Sequence, residues 1–349
     1  MRFHLRGRLV GRVVGLCAVL SAITLGARGG DASAVAARAV AGGVSAALTA
    51  PATALSGGVT AALTAPAAAL AKATWRITDE SPRLFAELDS MRGRSGKLRA
   101  RQLPRSADRL AELVRVFRDS LLHVPGVHNL RDSTGASRFA VITLRDFAEK
   151  LGGRIGGYRI GFWPGESGRA ISAAYANPQG FIEVTRLNMH TPVSEHFRLS
   201  DFLTHDQQEV WPKYLVLREE LVDKLELVVN ELEAHGTTVL HMSVMSGFRT
   251  PQYNAGGGET GGRAQLSRHM YGDAADVFVD NNRDGRMDDL NGDGRVDHRD
   301  AQVILDAAER VERAHADLVG GVGVYRATAA HGPFAHVDVR GNRARWGVL

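Results

Sequence analysis

The segment Ser267-Arg268-His269-Met270-Tyr271-Gly272-Asp273-Ala274-Ala275-Asp276 determines how the C-terminal part of the chain is expected to fold. Gly272 predicts a turn, and the apolar run that follows, Ala274–Val279, predicts a β-strand. His269 therefore ends a loop, and Asp276 lies at the start of the strand. The segment joins an imidazole to a carboxylate seven positions later.

Helices and short strands are predicted around this segment. An apolar stripe from Leu221 to Leu232 predicts a long helix, and a second helix is predicted over residues 299–318. Further strands are predicted over residues 237–244, 322–325 and 336–339. Residues 200–349 are therefore expected to form an α+β domain, a small antiparallel sheet with flanking helices.

The first 34 residues are typical of a secretory signal peptide. Four arginines precede an apolar run over residues 13–27, and Ala32-Ser33-Ala34 supplies a cleavage site. The apolar run is short for a membrane span of about 20 residues, although an uncleaved N-terminal membrane anchor is the alternative. The single cysteine, Cys17, lies in this leader, so the mature chain would have neither a disulfide nor thiol chemistry. We expect a periplasmic or extracellular protein of the cell envelope.

Removing the leader also changes the expected charge. Residues 1–34 contain five Arg and one Asp, so their loss would lower the formal net charge from +5 to +1. A nucleic-acid partner, which needs a clustered basic surface, is therefore not expected.

Two regions separate the leader from the α+β domain. Residues 35–74 are rich in Ala and Gly and contain a near-repeat, which predicts a flexible linker, or alternatively a membrane-facing helix. Residues 75–199 are expected to form a small mixed α/β domain, with a helix near 110–121 and strands near 158–163 and 180–185. This domain shows no catalytic pattern, so we expect it to position substrate or to pack.

A third nitrogen ligand is available in Ala335-His336-Val337-Asp338. Two histidines and one carboxylate would leave the fourth position of a tetrahedral zinc ion open, as in catalytic zinc sites. Taken one at a time, His269 could cap a loop, Asp276 could begin a turn, and His336 could be an ordinary core histidine.

Three motifs in one order make the pattern specific. Residues 246–254 (SGFRTPQYN), the pattern S-x-H-x-x-G-x-A-x-D from Ser267 to Asp276, and H-x-D at His336 follow one another. This resembles the M15 peptidase family of D-Ala-D-Ala carboxypeptidases and murein endopeptidases, particularly its MepK-type members, which shares its zinc fold with the Hedgehog signalling domain. The resemblance covers about residues 195–349 and implies zinc bound by His269, Asp276 and His336.

The resemblance also implies roles for neighbouring residues. Arg249 is expected to stabilise the oxyanion or the substrate carbonyl, unless it is a solvated turn arginine stacked on Phe248. Ser267 is expected to bind the substrate, unless it only caps a loop.

The general base is less defined. Related enzymes place a Glu or a His at positions that Pro333 and Phe334 occupy here. Asp338 lies two residues after His336 on a predicted strand, so both side chains project from one face. Asp338 is therefore expected to be either the base or a carboxylate that orients a ligand, with His331 as the other candidate base.

An acidic insert over residues 280–300 predicts calcium binding. An EF-hand-like loop places oxygen ligands and a glycine at regular positions, and a second such pattern precedes it. The second of the two loops comprises Asp289, Asn291, Asp293, Arg295, Asp297 and Asp300. The first comprises Asp280, Asn282, Asp284 and Asp288. One or two structural calcium ions are expected.

The predicted function is hydrolysis of peptide bonds in peptidoglycan by a secreted zinc peptidase, either a murein endopeptidase or a carboxypeptidase. One alternative is a cell-wall-binding module that keeps zinc without catalysis. Another is a calcium-regulated secreted protease that cleaves ordinary peptides.

Overall fold

The computed structural model of the chain describes residues 75–77, 89–117, 120–132, 137–168, 170–257 and 263–348. The predicted signal peptide and linker, residues 1–34 and 35–74, lie outside the described residues. All of the described residues belong to one compact unit. None of the helices in this part of the chain has the length and hydrophobicity that a transmembrane span requires.

A four-stranded sheet comes first. Its strands are β1 (Trp75–Ile77), β2 (Ala100–Leu103), β3 (Gly126–Asp132) and β4 (Ser137–Thr143), in the spatial order β1-β3-β4-β2. β3 and β4 are antiparallel, whereas both edge strands pair in parallel. Helix α1 (Asp108–Phe117) buries Leu110 and Leu113 in a small core with Phe139 and Val141, which confirms the predicted amphipathic helix.

Five short strands form two small sheets. β5 (Arg145–Asp146), β8 (Gly180–Val184) and β9 (Lys213–Leu215) form one sheet, and β6 (Arg154–Ile155) pairs with β7 (Tyr158–Arg159) in the other. The strand predicted over 180–185 is confirmed. The strand predicted over 158–163 ends at Arg159, because Gly161 has a φ of +85° and interrupts the extended backbone.

The second large sheet contains the predicted ligand segment. Its strands are β10 (Met242–Ser246), β11 (Ala274–Val279), β12 (Gly321–Tyr325), β13 (Phe334–Asp338) and β14 (Ala344–Gly347), in the order β10-β11-β13-β12-β14. Among the first four strands, each pair of neighbours in the sheet is antiparallel, as predicted. β14 is parallel to its partner β12, because both strands run opposite to β13.

Three helices accompany this sheet. α2 (Glu219–Ala234) and α4 (His298–Ala314) pack against each other, and α4 also contacts β12 and β13. α3 (Pro251–Gly256) begins after Thr250, whose Oγ1 accepts a hydrogen bond from the backbone N–H of Tyr253 at 3.0 Å. The mixture of small sheets and a few helices is consistent with the predicted α+β class.

Two further predicted boundaries are also wrong. The helix predicted over 299–318 ends at Ala314 and is followed by a separate 3₁₀ turn, Ala316–Leu318. The strand predicted over 237–244 begins only at Met242, because the backbone N–H groups of Leu240 and His241 donate to the side-chain oxygen of Asn281 instead of to a neighbouring strand.

One hydrophobic core runs through both predicted domains. Trp163 and Phe181, from the region before residue 200, are buried in the same cluster as Val228 and Val277 from the region after it. The indole N–H of Trp163 donates to the backbone oxygen of Met270 at 2.8 Å. The boundary predicted at 199/200 therefore does not separate two cores.

Candidate metal centre

His269 is positioned by a tight turn before β11. It lies in a 3₁₀ turn, Arg268–Tyr271, that ends at Gly272 in the left-handed region with a φ of +66°. A Cβ atom at Gly272 would overlap the backbone carbonyl of Val216. Glycine is therefore required both by the backbone angle and by the close approach of this loop to the chain before α2.

Asp276 and His336 are placed side by side by strand register. They are direct partners in the antiparallel pair of β11 and β13, so their side chains project from the same face of the sheet. On β12 the residue opposite His336 is Gly323, against which the ring of Trp346 packs. The imidazole of His336 lies 5.1 Å from that indole, measured between ring centroids.

The three predicted ligand atoms converge. His269 Nε2 lies 3.2 Å from His336 Nδ1, His336 Nδ1 lies 2.9 Å from Asp276 Oδ1, and His269 Nε2 lies 3.3 Å from the same oxygen. Bonds of about 2.0–2.1 Å to a tetrahedral zinc would separate neighbouring ligand atoms by about 3.3–3.4 Å. Within the described part of the chain, this is the one group of three such side chains that could hold a metal ion.

In each histidine, the ring nitrogen that faces away from the convergence point is hydrogen-bonded to a protein oxygen. His269 Nδ1 lies 2.7 Å from the backbone oxygen of Gly247, and His336 Nε2 lies 3.1 Å from Asp338 Oδ2. Since both oxygens are acceptors, these nitrogens carry the protons, and His269 Nε2 and His336 Nδ1 are left with lone pairs toward the common point. Metal-binding histidines in proteins almost always have such a partner.

Asp338 lies behind the centre rather than in the cleft. It is fully buried, and its carboxylate also accepts hydrogen bonds from the backbone N–H of Gly321 at 2.7 Å and from Arg340 Nε at 2.8 Å. Asp338 is not among the residues that line the cleft, and its oxygens are already hydrogen-bonded to His336, Gly321 and Arg340, which favours orientation of His336 over general base catalysis.

The ionisation of His269 and Asp276 suits a cation, whereas a proton on His336 would compete with the metal. Burial lowers the pKa of His269, which favours its neutral form. Burial opposes ionisation of Asp276, but the two imidazoles outweigh it and hold the pKa of the carboxyl far below its usual range. Burial likewise opposes protonation of His336, but Asp276 and Asp338 outweigh it and raise its pKa in the metal-free protein.

Arg249 is tied to the metal ligand. Its Nη2 donates to Asp276 Oδ2 at 2.6 Å, and its Nε donates to Ser246 Oγ at 2.8 Å. The guanidinium thus lies beside the convergence point with a fixed orientation. This agrees with the predicted place of Arg249 at the centre, not with a solvated turn arginine.

An open cleft of about 800 Å³ leads to the three ligands. Ser267 and His331 are among the residues that line it, and the hydroxyl of Ser267 does not cap the turn that follows it. His331 contacts Phe334 edge to face, with 4.9 Å between ring centroids. Asp276 is the single acidic residue among those that line the cleft in the described part of the chain.

Several cleft residues were not anticipated from the sequence. Tyr325 stacks on Phe334 at 4.5 Å, and its hydroxyl accepts a hydrogen bond from Trp346 Nε1 at 2.7 Å, so the phenolic proton is left to donate. Arg263 and Arg340 also line the cleft. Tyr325, Phe334 and Trp346 lie on β12, β13 and β14, and this succession of aromatic residues was the available signal in the sequence. No spacing pattern pointed to Arg263.

The two acidic loops have the same internal hydrogen bonds. In the first, Asp280 accepts from the backbone N–H groups of Asp284 and Gly285, and in the second, Asp289 accepts from those of Asp293 and Gly294. Asp300 is buried and accepts from the backbone N–H of Leu290. The carboxylates of these loops do not form a group of three ligand atoms close enough to hold an ion in the described structure.

The chain matches no protein-family model. Searches of curated proteins and of solved structures also found no match.

Proposed function

We propose that this protein is a secreted zinc metallopeptidase that hydrolyses peptide bonds in peptidoglycan, with a Hedgehog-like zinc fold in its C-terminal part. The observation that carries the proposal is the convergence of His269 Nε2, His336 Nδ1 and Asp276 Oδ1 at tetrahedral spacing beside an open cleft. Two nitrogens and one carboxylate oxygen are the donor set of catalytic zinc sites.

Zinc in this site would activate a water molecule and polarise the scissile carbonyl. Arg249 would stabilise negative charge on the carbonyl oxygen, since its guanidinium is held beside the ligands by Asp276 and Ser246. Ser267 would hydrogen-bond to the substrate from the cleft wall.

His331 is the proposed general base. It lines the cleft, whereas Asp338 is buried behind His336. A water nucleophile must lose a proton, and an imidazole can accept one near neutral pH. His331→Asn is expected to keep bound zinc and to lose most of the hydrolytic rate.

A zinc-containing wall-binding module without catalysis is the second candidate. It is favoured by the absence of any carboxylate other than Asp276 among the described residues that line the cleft. In this case His331 would contact a bound ligand without transferring a proton.

Digestion of purified murein sacculi separates the two functions. Zinc-loaded protein is incubated with sacculi, and the released products are identified by mass spectrometry. Peptide cleavage by the native chain and not by His269→Ala, which removes a ligand, is the expected result. Zinc binding by the native chain together with intact sacculi would decide for the wall-binding module, and cleavage of ordinary L-peptides alone would decide for a general protease.

We further propose that the acidic insert binds structural calcium through one or both loops. The repeated hydrogen-bond pattern of Asp280 and Asp289 supports it, because the aspartate at position 1 of such a loop is expected to accept from the glycine at position 6. Calcium would brace the connection between β11, which carries Asp276, and α4. A melting temperature that falls when calcium is chelated at saturating zinc is expected; an unchanged melting temperature would contradict it.

A further inference from the structure

The cleft walls carry four arginines, three of which are neutralised by carboxylates. Arg249 pairs with Asp276, Arg268 pairs with Asp273, and Arg340 pairs with Asp338. Arg263 is different, because within the described ranges of the chain no Asp or Glu side chain pairs with it. Among the four arginines of the cleft, Arg263 is thus the one whose charge no carboxylate of the described residues compensates.

The side chain of Arg263 is held in one orientation by contacts that involve one of its N–H donors. Its Nη1 donates to the backbone oxygen of Tyr253 at 2.8 Å, and its guanidinium stacks on the ring of Tyr253 at 4.1 Å. A guanidinium has five N–H donors, and the other four have no hydrogen-bond partner among the described residues. Stacking on an aromatic face restricts the orientation of the side chain and lowers the entropy lost on binding.

Arg263 also lines the same cleft as the proposed metal ligands. Arg249, His269 and His336 are among the other residues that line it. Arg249 in turn contacts the ligand Asp276. A planar group with two anionic oxygens that is bound by Arg263 would therefore lie in the same cleft as the proposed metal ligands.

We propose that Arg263 binds a carboxylate of the substrate, so that the preferred substrate is a peptide with a free carboxylate close to the cleaved bond. This inference rests on the proposed function and narrows its substrate class. A carboxylate is the planar, bidentate partner that a guanidinium recognises best among the groups of a peptide. It can come from the C-terminus, as in a carboxypeptidase substrate, or from a side chain within the stem peptide, as in an endopeptidase substrate.

Selective amidation distinguishes these two sources. Cross-linked stem-peptide dimers are purified from sacculi and used in three forms: unmodified, amidated at the C-termini, and amidated at the side-chain carboxylates. Zinc-loaded full-length protein and Arg263→Gln are compared by kcat/KM on each form. For the native chain, amidation of the recognised carboxylate is expected to lower kcat/KM about ten- to hundredfold, the value of one charge-assisted hydrogen-bonded contact.

Arg263→Gln is expected to reduce kcat/KM on the unmodified dimer by the same factor, so that it no longer distinguishes that dimer from the amidated form. Arg263→Lys, which keeps the charge but not the planar fork, should recover only part of the loss. Arg154→Gln is the matched control, because Arg154 is exposed, lies outside the cleft and also donates to a backbone carbonyl. Unchanged zinc content and melting temperature in Arg263→Gln would show that the variant is folded.

The outcomes separate this inference from the proposed function. Hydrolysis by the native chain that is indifferent to amidation and to Arg263→Gln would overturn the inference and leave the peptidase. If the native chain hydrolyses none of the dimers, the same peptides are titrated calorimetrically into both proteins. A loss of affinity in Arg263→Gln for the carboxylate form alone would then support carboxylate recognition, and equal affinities would overturn it.

Discussion

At the scale of single residues, the metal centre depends on what holds each imidazole from behind. The resemblance carried by the three motifs implied His269, Asp276 and His336 as the ligands, and the alternation of side chains along a strand placed Asp338 on the face of His336. The sequence could not tell which nitrogen of each histidine faces the metal, because this depends on the carbonyl of Gly247 and on the burial of Asp338. Those contacts come from distant parts of the chain.

Asp338→Asn is expected to weaken zinc binding. Both carboxylate oxygens accept hydrogen bonds. The groups that face them, His336 Nε2, Arg340 and the backbone N–H of Gly321, are all donors. An amide NH₂ group would face His336 Nε2 in one orientation and the backbone N–H of Gly321 in the other, so the network that orients His336 would be disrupted in either case. The zinc dissociation constant, measured by competition with a chelator, should rise about 10–100-fold.

The control for this variant is Asp306→Asn, since Asp306 is exposed and accepts a hydrogen bond from Gln302 within α4. It should bind zinc like the native chain. Equal zinc affinity in Asp338→Asn and the native chain would show that Asp338 does not orient His336.

Zinc binding should weaken as the pH falls. His336 has a raised pKa in the metal-free protein and must release its proton from Nδ1 to bind a metal. Because the proton is held below that pKa, the dissociation constant should rise about tenfold per pH unit there, starting above the ordinary imidazole value of 6.5. Chelator competition between pH 5 and 8 measures this. An onset only below the ordinary value would contradict a raised pKa.

At the scale of secondary structure elements, the periodic segments were predictable and the irregular ones were not. Ala274–Val279 and the helix containing Leu221 and Leu232 lie where apolar patterns predicted them. The early end of the strand at Arg159 and the late start of the strand at Met242 depend on Gly161 and on the side chain of Asn281. Neither effect is visible in a hydrophobic pattern, because each is a contact with another segment.

Gly272→Ala should destabilise the fold more than an ordinary replacement of a glycine with positive φ. The substitution adds backbone strain of about 1–2 kcal/mol and an overlap with the carbonyl of Val216 that adds about 1–3 kcal/mol. Gly156→Ala is the matched control, since Gly156 has a φ of +54° but nothing within 4 Å of the added atom. Urea unfolding at saturating zinc compares the two free energies of unfolding, and equal losses would show that the loop absorbs the overlap.

At the scale of the whole molecule, one acidic side chain links the first sheet to α2. Glu219 contacts Arg101 of β2 at 2.7 Å and accepts a hydrogen bond from the backbone N–H of Gln102. Burial raises the pKa of Glu219 to about 7, although Arg101 opposes the shift. The connection therefore carries a titratable group that prefers to be neutral in the folded protein.

Glu219 should make stability fall as the pH rises from about 4.5 to about 7. In this interval the folded state binds more protons than the unfolded state, whose carboxyl keeps its ordinary pKa of 4.5, so the free energy of unfolding decreases with pH by at most about 3 kcal/mol. Glu219→Gln should remove this slope. Urea unfolding at several pH values tests it, with the exposed Glu233→Gln as control; an unchanged slope in Glu219→Gln would assign the pH dependence to other groups.

The hydrogen bond from Trp163 to Met270 has a consequence for how this protein can diversify. The turn that carries His269 is supported by an indole that lies more than a hundred positions earlier in the chain. Genetic exchange that transferred only the segment from residue 200 onward into another protein would leave that carbonyl without its donor and the shared core without Phe181. A transferred segment would therefore need to be the longer one that includes Trp163, and exchange at residue 200 would be disfavoured.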